Sequence, residues 1–325
     1  MARIIDIARE EDIALAEGRR LLNQGELVAM PTETVYGLAA DATNPDAIAK
    51  IYAAKGRPAF NPLICHMSDL AMAEDYAVFS PLARRLAEAY WPGPMTLVLP
   101  LKENAGIAPA ATAGLPTVGV RVPKGFAGKL IARTGRPLAA PSANTSGKIS
   151  PTTAAHVEAD LGDRLQLILD AGPAEVGVES TILKIENDAI TLLRPGGIAA
   201  AEVEMLTGRP VLRPARKTAI VAPGMMVSHY APTATVRLDA TRVEDGEALV
   251  LFGPQTIENA YAARATFQLS ETSDLAEAAS RLYDTMKLAD ASGARVIAFA
   301  PVPKDGIGEA INDRLSRAAA PRKED

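Results

Sequence analysis

PTETVYGLAADATNPDAIAKIYAAKGRPAFNPL, residues 31–63, carries a strand end, a polar turn, a helix and a shaped loop in succession. Just before it, Leu27, Val28, Ala29 and Met30 form a short apolar run, read as a buried strand. Pro31 stops that strand, and Thr32, Glu33, Thr34 and Tyr36 follow at once. Ligands of open α/β sheets bind beyond strand ends, so hydroxyls and a carboxylate there suggest a site mouth. A solvated turn accounts for the same residues, and both readings fit this stretch taken alone. The helix that follows has Asn44 to cap it, Pro45 at its first position and Gly56 to end it. Ile48, Ile51 and Tyr52 share one face. Lys55 and Arg57 stand at its end, where the helix dipole alone explains two cations. The neighbouring Gly56, Pro58, Asn61 and Pro62 suggest a loop with a definite shape.

Outward from this stretch the chain alternates between strands and helices. Upstream, a helix is expected over 11–23, with Leu15, Gly18 and Leu22 inward. Downstream, strands are expected at 63–66, 96–101, 117–122, 137–140, 167–169, 182–185 and 190–193. Helices are expected at 81–90, 125–134, 153–161 and 200–206. The strand 117–122 alternates cleanly, with Val118, Val120 and Val122 on one side and Arg121 on the other. A cation there needs solvent or an anionic partner. An internal salt bridge would serve, and so would a ligand carboxylate or phosphate, which suits a planar guanidinium. A second polar mouth, Pro141 to Ser150, follows the strand at 137–140 and resembles an anion-cradling loop in general terms; a plain surface loop has the same composition.

Residues 209–233 contain Pro210, Pro214, Pro223 and Pro232 and little periodicity, and read as an interdomain linker. Its cluster Ser228-His229-Tyr230 is more than a passive spacer needs. Beyond it, strands at 235–238, 248–252 and 295–299 and helices at 273–289 and after Gly308 suggest a small α/β domain. The expected layout is therefore a domain over 1–208, a linker over 209–233 and a smaller domain over 234–325.

Composition narrows the function classes. Hydrophobic residues make up 48% and charged residues 22%, as in a water-soluble globular protein. The net charge of -5 argues against a general nucleic-acid surface, and 4% aromatics argue against base-stacking platforms. Cys65 is the one cysteine, so an intramolecular disulfide is excluded, which fits a cytoplasmic location. No signal peptide and no apolar run approaching ~18 residues are evident. With three histidines, His66, His156 and His229, a dedicated zinc site is not expected. There is no Walker loop and no GxSxG elbow. Gly306-Ile307-Gly308 lacks the third glycine of a dinucleotide fingerprint and reads as a helix start. The residues alone reach a two-domain α/β protein with a cationic, hydroxyl-rich cleft suited to an anionic small ligand.

Lys55-Gly56-Arg57 with Ser142-Ala143-Asn144 resembles the KxR…SxN pattern of the YrdC/Sua5 family. PTETVYGL (31–38), GRPAFNPL (56–63), TVGVRVP (117–123), APSAN (140–144), ESTI (179–182) and LRPG (193–196) fit it in order. PGMMVSHYAP (223–232) and GIGEAINDRLSRAAA (306–320) resemble the linker and the C-terminal end of its long form. The resemblance implies a YrdC-like twisted mixed sheet with helices, followed by a smaller Rossmann-like α/β domain. It implies an L-threonylcarbamoyladenylate synthase, a nucleotidyltransferase. Such an enzyme joins L-threonine, bicarbonate and ATP, with Mg2+, releases pyrophosphate, and passes its product to the tRNA threonylcarbamoyl-transferase machinery for t6A at position 37. Direct tRNA contact is left open, and no membrane is implied. By the same likeness Thr34, His66, Arg121, Ser142 and Ser180 surround threonine. Arg57, Asn61, Thr117, Asn144, Ser150, Arg194 and Tyr230 surround ATP, with the linker over the site. Lys55 lies near the phosphates, and Lys55 and Arg57 neutralise charge in the reaction. His229 is a secondary candidate. Met226-Val227-Ser228 departs from the family, which usually carries a basic residue before the histidine. A non-catalytic RNA-binding module of the same fold is the alternative, disfavoured by the acidic charge. Carbamoyl-transfer relatives with zinc-binding CxxC repeats are excluded by the single cysteine.

Overall fold

Short β-rich runs between capped helices sort the chain into two sheets of unequal size. The computed structural model describes residues 1–214, 222–224 and 228–321. β1 (Arg3–Asp6) runs into α1 (Ile7–Asn23), which kinks at Glu10: beyond the kink it follows the expected 11–23, and before it lies a short turn whose Ala8 N–H the Asp6 carboxylate accepts. Leu15, Gly18 and Leu22 face inward as expected. β2 (Val28–Met30) is followed by the polar turn and then by β3 (Gly37–Asp41), which returns antiparallel beside β2. α2 (Pro45–Lys55) has the expected ends: the Asn44 side chain accepts from Asp46 and Ala47, Pro45 leads, and Gly56 closes it. β4 (Ile64–His66), α3 (Leu70–Tyr76), α4 (Pro81–Tyr90), β5 (Met95–Pro100) and β6 (Thr117–Arg121) come next. Then come α5 (Phe126–Thr134), β7 (Leu138–Ala139), α6 (Ala154–Leu161) and β8 (Leu167–Asp170). β9 (Thr181–Glu186), β10 (Ala189–Arg194), α7 (Ala200–Thr207) and β11 (Val211–Leu212) complete the first unit. β11 pairs with β10, so the stretch read as linker begins as a sheet edge.

Among the described residues these strands form one mixed sheet in the order β1-β8-β2-β3-β7-β4-β6-β5-β9-β10-β11. Leu38, Ile48, Ile51, Leu97, Val118 and Val120 pack on one face. Ile5, Leu22, Met30, Leu130, Ile131 and Leu167 pack on the other. The second sheet contains β12 (Thr235–Arg237), β13 (Ala248–Leu251), β14 (Ala265–Gln268) and β15 (Val296–Phe299) in the order β12-β15-β13-β14, all parallel. α8 (Leu275–Ala291) and α9 (Gly308–Ala318) cover it. Its core holds Val250, Leu282, Tyr283, Ile297, Phe299 and Ile311, and continues through Tyr230 to Val35, Ile149 and Val178 from loops of the first sheet. The two lobes therefore share apolar packing beside the polar mouths.

Candidate active site

The turn after β2 is built by Thr32. Its hydroxyl accepts the N–H groups of Thr34 (3.2 Å) and Val35 (3.3 Å) and donates to the Val35 carbonyl (2.7 Å). That fold of the chain buries Thr34 and aims its Oγ1 at Arg121. The parallel register of β4 and β6 sets His66 beside Arg121. Arg121 donates to Thr34 Oγ1 (2.9 Å) and to the Gly93 carbonyl (3.2 Å), and its Nη2 lies 2.8 Å from Glu33 Oε1. The charge contact with Glu33 is not aligned as a hydrogen bond. Arg121 thus has the internal partner expected for a buried cation and also faces a cavity enclosed by loops of the first sheet and by Pro223, Gly224, His229 and Tyr230. Burial, with the Arg121 charge second, pushes the His66 imidazole down to about 3, so it stands neutral at ordinary pH.

Lys55 ends α2 and is buried. Its Nζ donates to the carbonyls of Ser142 (2.6 Å) and Asn144, and its own carbonyl accepts from Ser146 (2.8 Å). Burial, then the neighbouring Arg57, hold this amine well below the usual lysine range. The KxR and SxN segments are therefore clasped together by Lys55, whose amine meets loop carbonyls. Arg57 donates to the carbonyls of Asn61 (3.1 Å) and Pro62 (2.8 Å), and burial brings it down to about 10.

On the opposite wall Ser180 Oγ lies 2.7 Å from Thr96 Oγ1, and Arg194 donates to the Ser180 carbonyl (3.2 and 3.0 Å) and hydroxyl (3.2 Å). Gly196 passes under this wall so closely that a Cβ would stand 2.3 Å from the Glu179 carbonyl oxygen. That explains the glycine of LRPG by space alone. Pro223, Gly224, His229 and Tyr230 close the remaining side. Tyr230 takes the left-handed backbone region (φ 61°), uncommon for a tyrosine. Its ring meets His229 edge-on (4.1 Å) and stacks on Tyr283 (5.7 Å). Burial pushes His229 down to about 3.

Of the residues expected from the sequence, Thr34, Arg57, His66, Arg121, Ser142, Ser180, Arg194, His229 and Tyr230 line this one cavity. Thr117 lines an adjoining recess with Thr96, Ile182 and Ala222, and the two spaces share Ile64 and Pro223. Asn61, Lys55, Asn144 and Ser150 are buried close by without lining the cavity. Asn144 Nδ2 donates to the carbonyls of Thr145 and Lys148, and Ser150 donates to Glu179 (2.7 Å). Met226 and Val227 lie outside the described residues. Sequence reasoning put Glu33 at the first polar mouth without giving it a role, and missed Thr96 and Glu179. Glu33 and Glu179 stood inside the quoted motifs, but the arginines they meet, Arg121, Arg194 and Arg314, are far from them in the chain. Among the described residues no three His, Cys, Asp or Glu side chains gather to hold a metal ion. The carboxylate among the described lining residues, Glu179, has its oxygens engaged by Ser150, Tyr283 and Arg314, so these walls do not fit a protein-held divalent cation. No helix of the described residues is long and apolar enough to cross a membrane.

Comparison with known proteins agrees with this geometry. Residues 20–196 match the Sua5/YciO/YrdC family model, described as telomere recombination. Residues 198–320 match the threonylcarbamoyl-AMP synthase C-terminal domain. The chain is 40% identical to the threonylcarbamoyl-AMP synthase of Bacillus subtilis over 98% of this chain and 96% of that protein. It is 40% identical to that of Pyrococcus abyssi over 96% and 95%. A solved structure of P. abyssi Sua5 complexed with L-threonine superimposes with a TM-score of 0.87 at 36% identity, covering 98% of both chains. The chain belongs to the Sua5/YciO/YrdC family, in its long form with the threonylcarbamoyl-AMP synthase C-terminal domain.

Proposed function

We propose that the protein is an L-threonylcarbamoyladenylate synthase that makes threonylcarbamoyl-AMP for t6A on tRNA. The observation that carries this is the convergence of Arg57, Arg121 and Arg194 with the hydroxyls of Thr34, Ser142 and Ser180 on one enclosed cavity. Relatives of that name, alike over nearly the whole chain, support it.

In this reading threonine sits at Thr34, His66, Arg121, Ser142 and Ser180, its carboxylate toward Arg121. ATP sits toward Arg57, Arg194 and Tyr230, with Asn61, Thr117, Asn144 and Ser150 shaping its surroundings and Lys55 holding the loop nearest the phosphates. The threonine amine attacks bicarbonate, a C–N bond forms and water leaves. The carbamate oxygen then attacks the α-phosphate, the bond to the β-phosphate breaks and pyrophosphate departs, which makes the enzyme a nucleotidyltransferase. Both steps bring anions together, so fixed cations and a water-poor site supply the acceleration. Neutral His66 adds no charge beside Arg121. Mg2+ enters in this proposal on the ATP phosphates, as part of the substrate. Residues 1–208, completed by β11, form the catalytic domain, Pro223, Gly224, His229 and Tyr230 of the stretch 209–233 close the site, and 234–325 form the C-terminal domain. The reaction belongs in the cytoplasm, where the product passes to the tRNA-modifying transfer machinery.

The test is to incubate the protein with ATP, L-threonine and 13C-bicarbonate and analyse the adenylates by mass spectrometry. A threonine-containing adenylate that takes up the label is expected. An adenylate that forms without threonine, or without the label, contradicts the assignment.

A further inference from the structure

Glu179 immediately precedes Ser180 on the cavity wall, and most of what holds its carboxylate comes from the other lobe. Arg314 of α9 donates through Nε to Oε2 (2.8 Å), and the Tyr283 hydroxyl of α8 lies 2.9 Å from Oε2 and 3.1 Å from Oε1. The first lobe contributes Ser150 Oγ, 2.7 Å from Oε1. Glu179, Ser150, Tyr283 and Arg314 are all buried. The same guanidinium lies over the Tyr230 ring, 5.2 Å from its centre, and the carbonyl of Arg317, one turn on, accepts the His229 N–H (3.3 Å). One face of α9 therefore grips both the wall that presents Ser180 and the segment that presents His229 and Tyr230. The approach leaves no slack: a Cβ on Gly177, two residues before Glu179, would stand 2.3 Å from Cα of Ser280 on α8.

We infer that Arg314 is a positioning residue for the active site, acting from the C-terminal lobe through Glu179 to fix Ser180 and through Tyr230 to fix the closing segment. The inference rests on the synthase reading above and gives the C-terminal lobe a task in it. Its lever is the charge of Glu179. The groups facing that carboxylate are Arg314, with Asp313 beside it on α9, Tyr283 on α8, Arg194 at the end of β10, Ser150, and His229 and Tyr230 on the closing segment. Burial alone would raise the Glu179 carboxyl; the charges of Arg314 and Arg194 override it and bring it to about 2. With Arg314 neutral, burial gains weight and the carboxyl rises toward the working pH. A protonated Glu179 holds its donors less firmly, and the wall loosens.

The full-length protein, Arg314→Lys, Arg314→Met and the charge-balanced pair E179Q/R314M are compared. The readouts are kcat and KM for threonine from pyrophosphate release over about pH 5 to 9, with the melting temperature of each. R314M is expected to lose about tenfold or more in kcat/KM and to acquire an acid-side fall in addition to the one that protonation of the threonine amine and of bicarbonate gives the wild type. R314K is expected to recover most of the activity. E179Q/R314M is expected to regain melting temperature and to show only the wild-type acid-side fall, because no Glu179 carboxyl remains to titrate. A folded R314M with the wild-type pH profile, or with a loss equal at every pH, overturns the inference. If R314M does not fold, Y283F replaces it: both charges stay, one donor to Glu179 goes, and a smaller additional acid-side fall is expected, its absence being the overturning result. A wild-type protein without threonine-dependent release sinks the synthase reading, and this inference with it. An active wild type with unmoved variants sinks only the inference.

Discussion

Arg121 meets Glu33 and Thr34 from the strand face opposite its neighbouring valines, as the alternation of β6 requires. The sequence placed the cation correctly and left its partner open between an internal acid and a ligand; the fold supplies the acid and keeps the guanidinium on the cavity. Arg121→Lys keeps a charge for Glu33 and removes the planar fork. Threonine affinity by calorimetry is expected to fall about tenfold, since a charge-assisted hydrogen bond is worth roughly 1.5–3 kcal/mol, while the melting temperature changes little. Unchanged affinity would leave Arg121 a purely internal ion pair. Glu179 gives a pH signature in stability. Its folded carboxyl near 2 lies below the ordinary 4.5, so its contribution is complete above about 4.5 and is lost as pH falls through about 2. Urea unfolding of the wild type should weaken across that window, and Glu179→Gln should flatten the part due to this group. Parallel curves would contradict the assignment. Glu179 itself was not legible as a site residue, because its partners Tyr283 and Arg314 stand more than a hundred residues away.

Elements with local punctuation were legible; elements defined by their neighbours were not. α2 and α4 run as their caps and prolines indicate. β3 is Gly-Leu-Ala-Ala-Asp, without β-branched or aromatic residues, and is a strand because β2 and β7 flank it. α3 is two turns long, and β14 is only partly buried, so neither leaves a strong period. Asn44→Ala removes the acceptor for two N–H groups of α2 and should cost about 1 kcal/mol in urea unfolding, with kcat nearly kept. A loss of activity without a loss of stability would contradict a capping role. Gly196→Ala should act the other way round from a surface change: with 2.3 Å available, the Glu179–Thr181 backbone must move, and kcat/KM for threonine should drop by about a hundredfold or more. Wild-type activity there would mean that the wall is not held as described. Tyr230→Ala removes the ring packed between His229, Tyr283 and Arg314, and should speed ATP dissociation if the closing segment retains nucleotide.

At the scale of the molecule, the described residues form two sheets, with a cavity among loops of the first that Pro223, Gly224, His229 and Tyr230 close. Alternating strands and helices made both α/β units readable, and the proline-rich stretch 209–233 marked where the composition changes. The packing of the second unit onto the first was not readable, since Val35, Ile149, Val178 and Tyr230 join its core from distant points in the chain. Function came from ordered motifs more than from spacing: the geometry shows a cationic, hydroxyl-lined cavity, and the likeness to threonylcarbamoyl-AMP synthases over nearly the full length gives the chemistry. The central claim joins the two, and pyrophosphate release by the purified full-length protein tests it most directly. Release is expected from ATP only when L-threonine and bicarbonate are both present, and release that persists when threonine is left out would contradict the account.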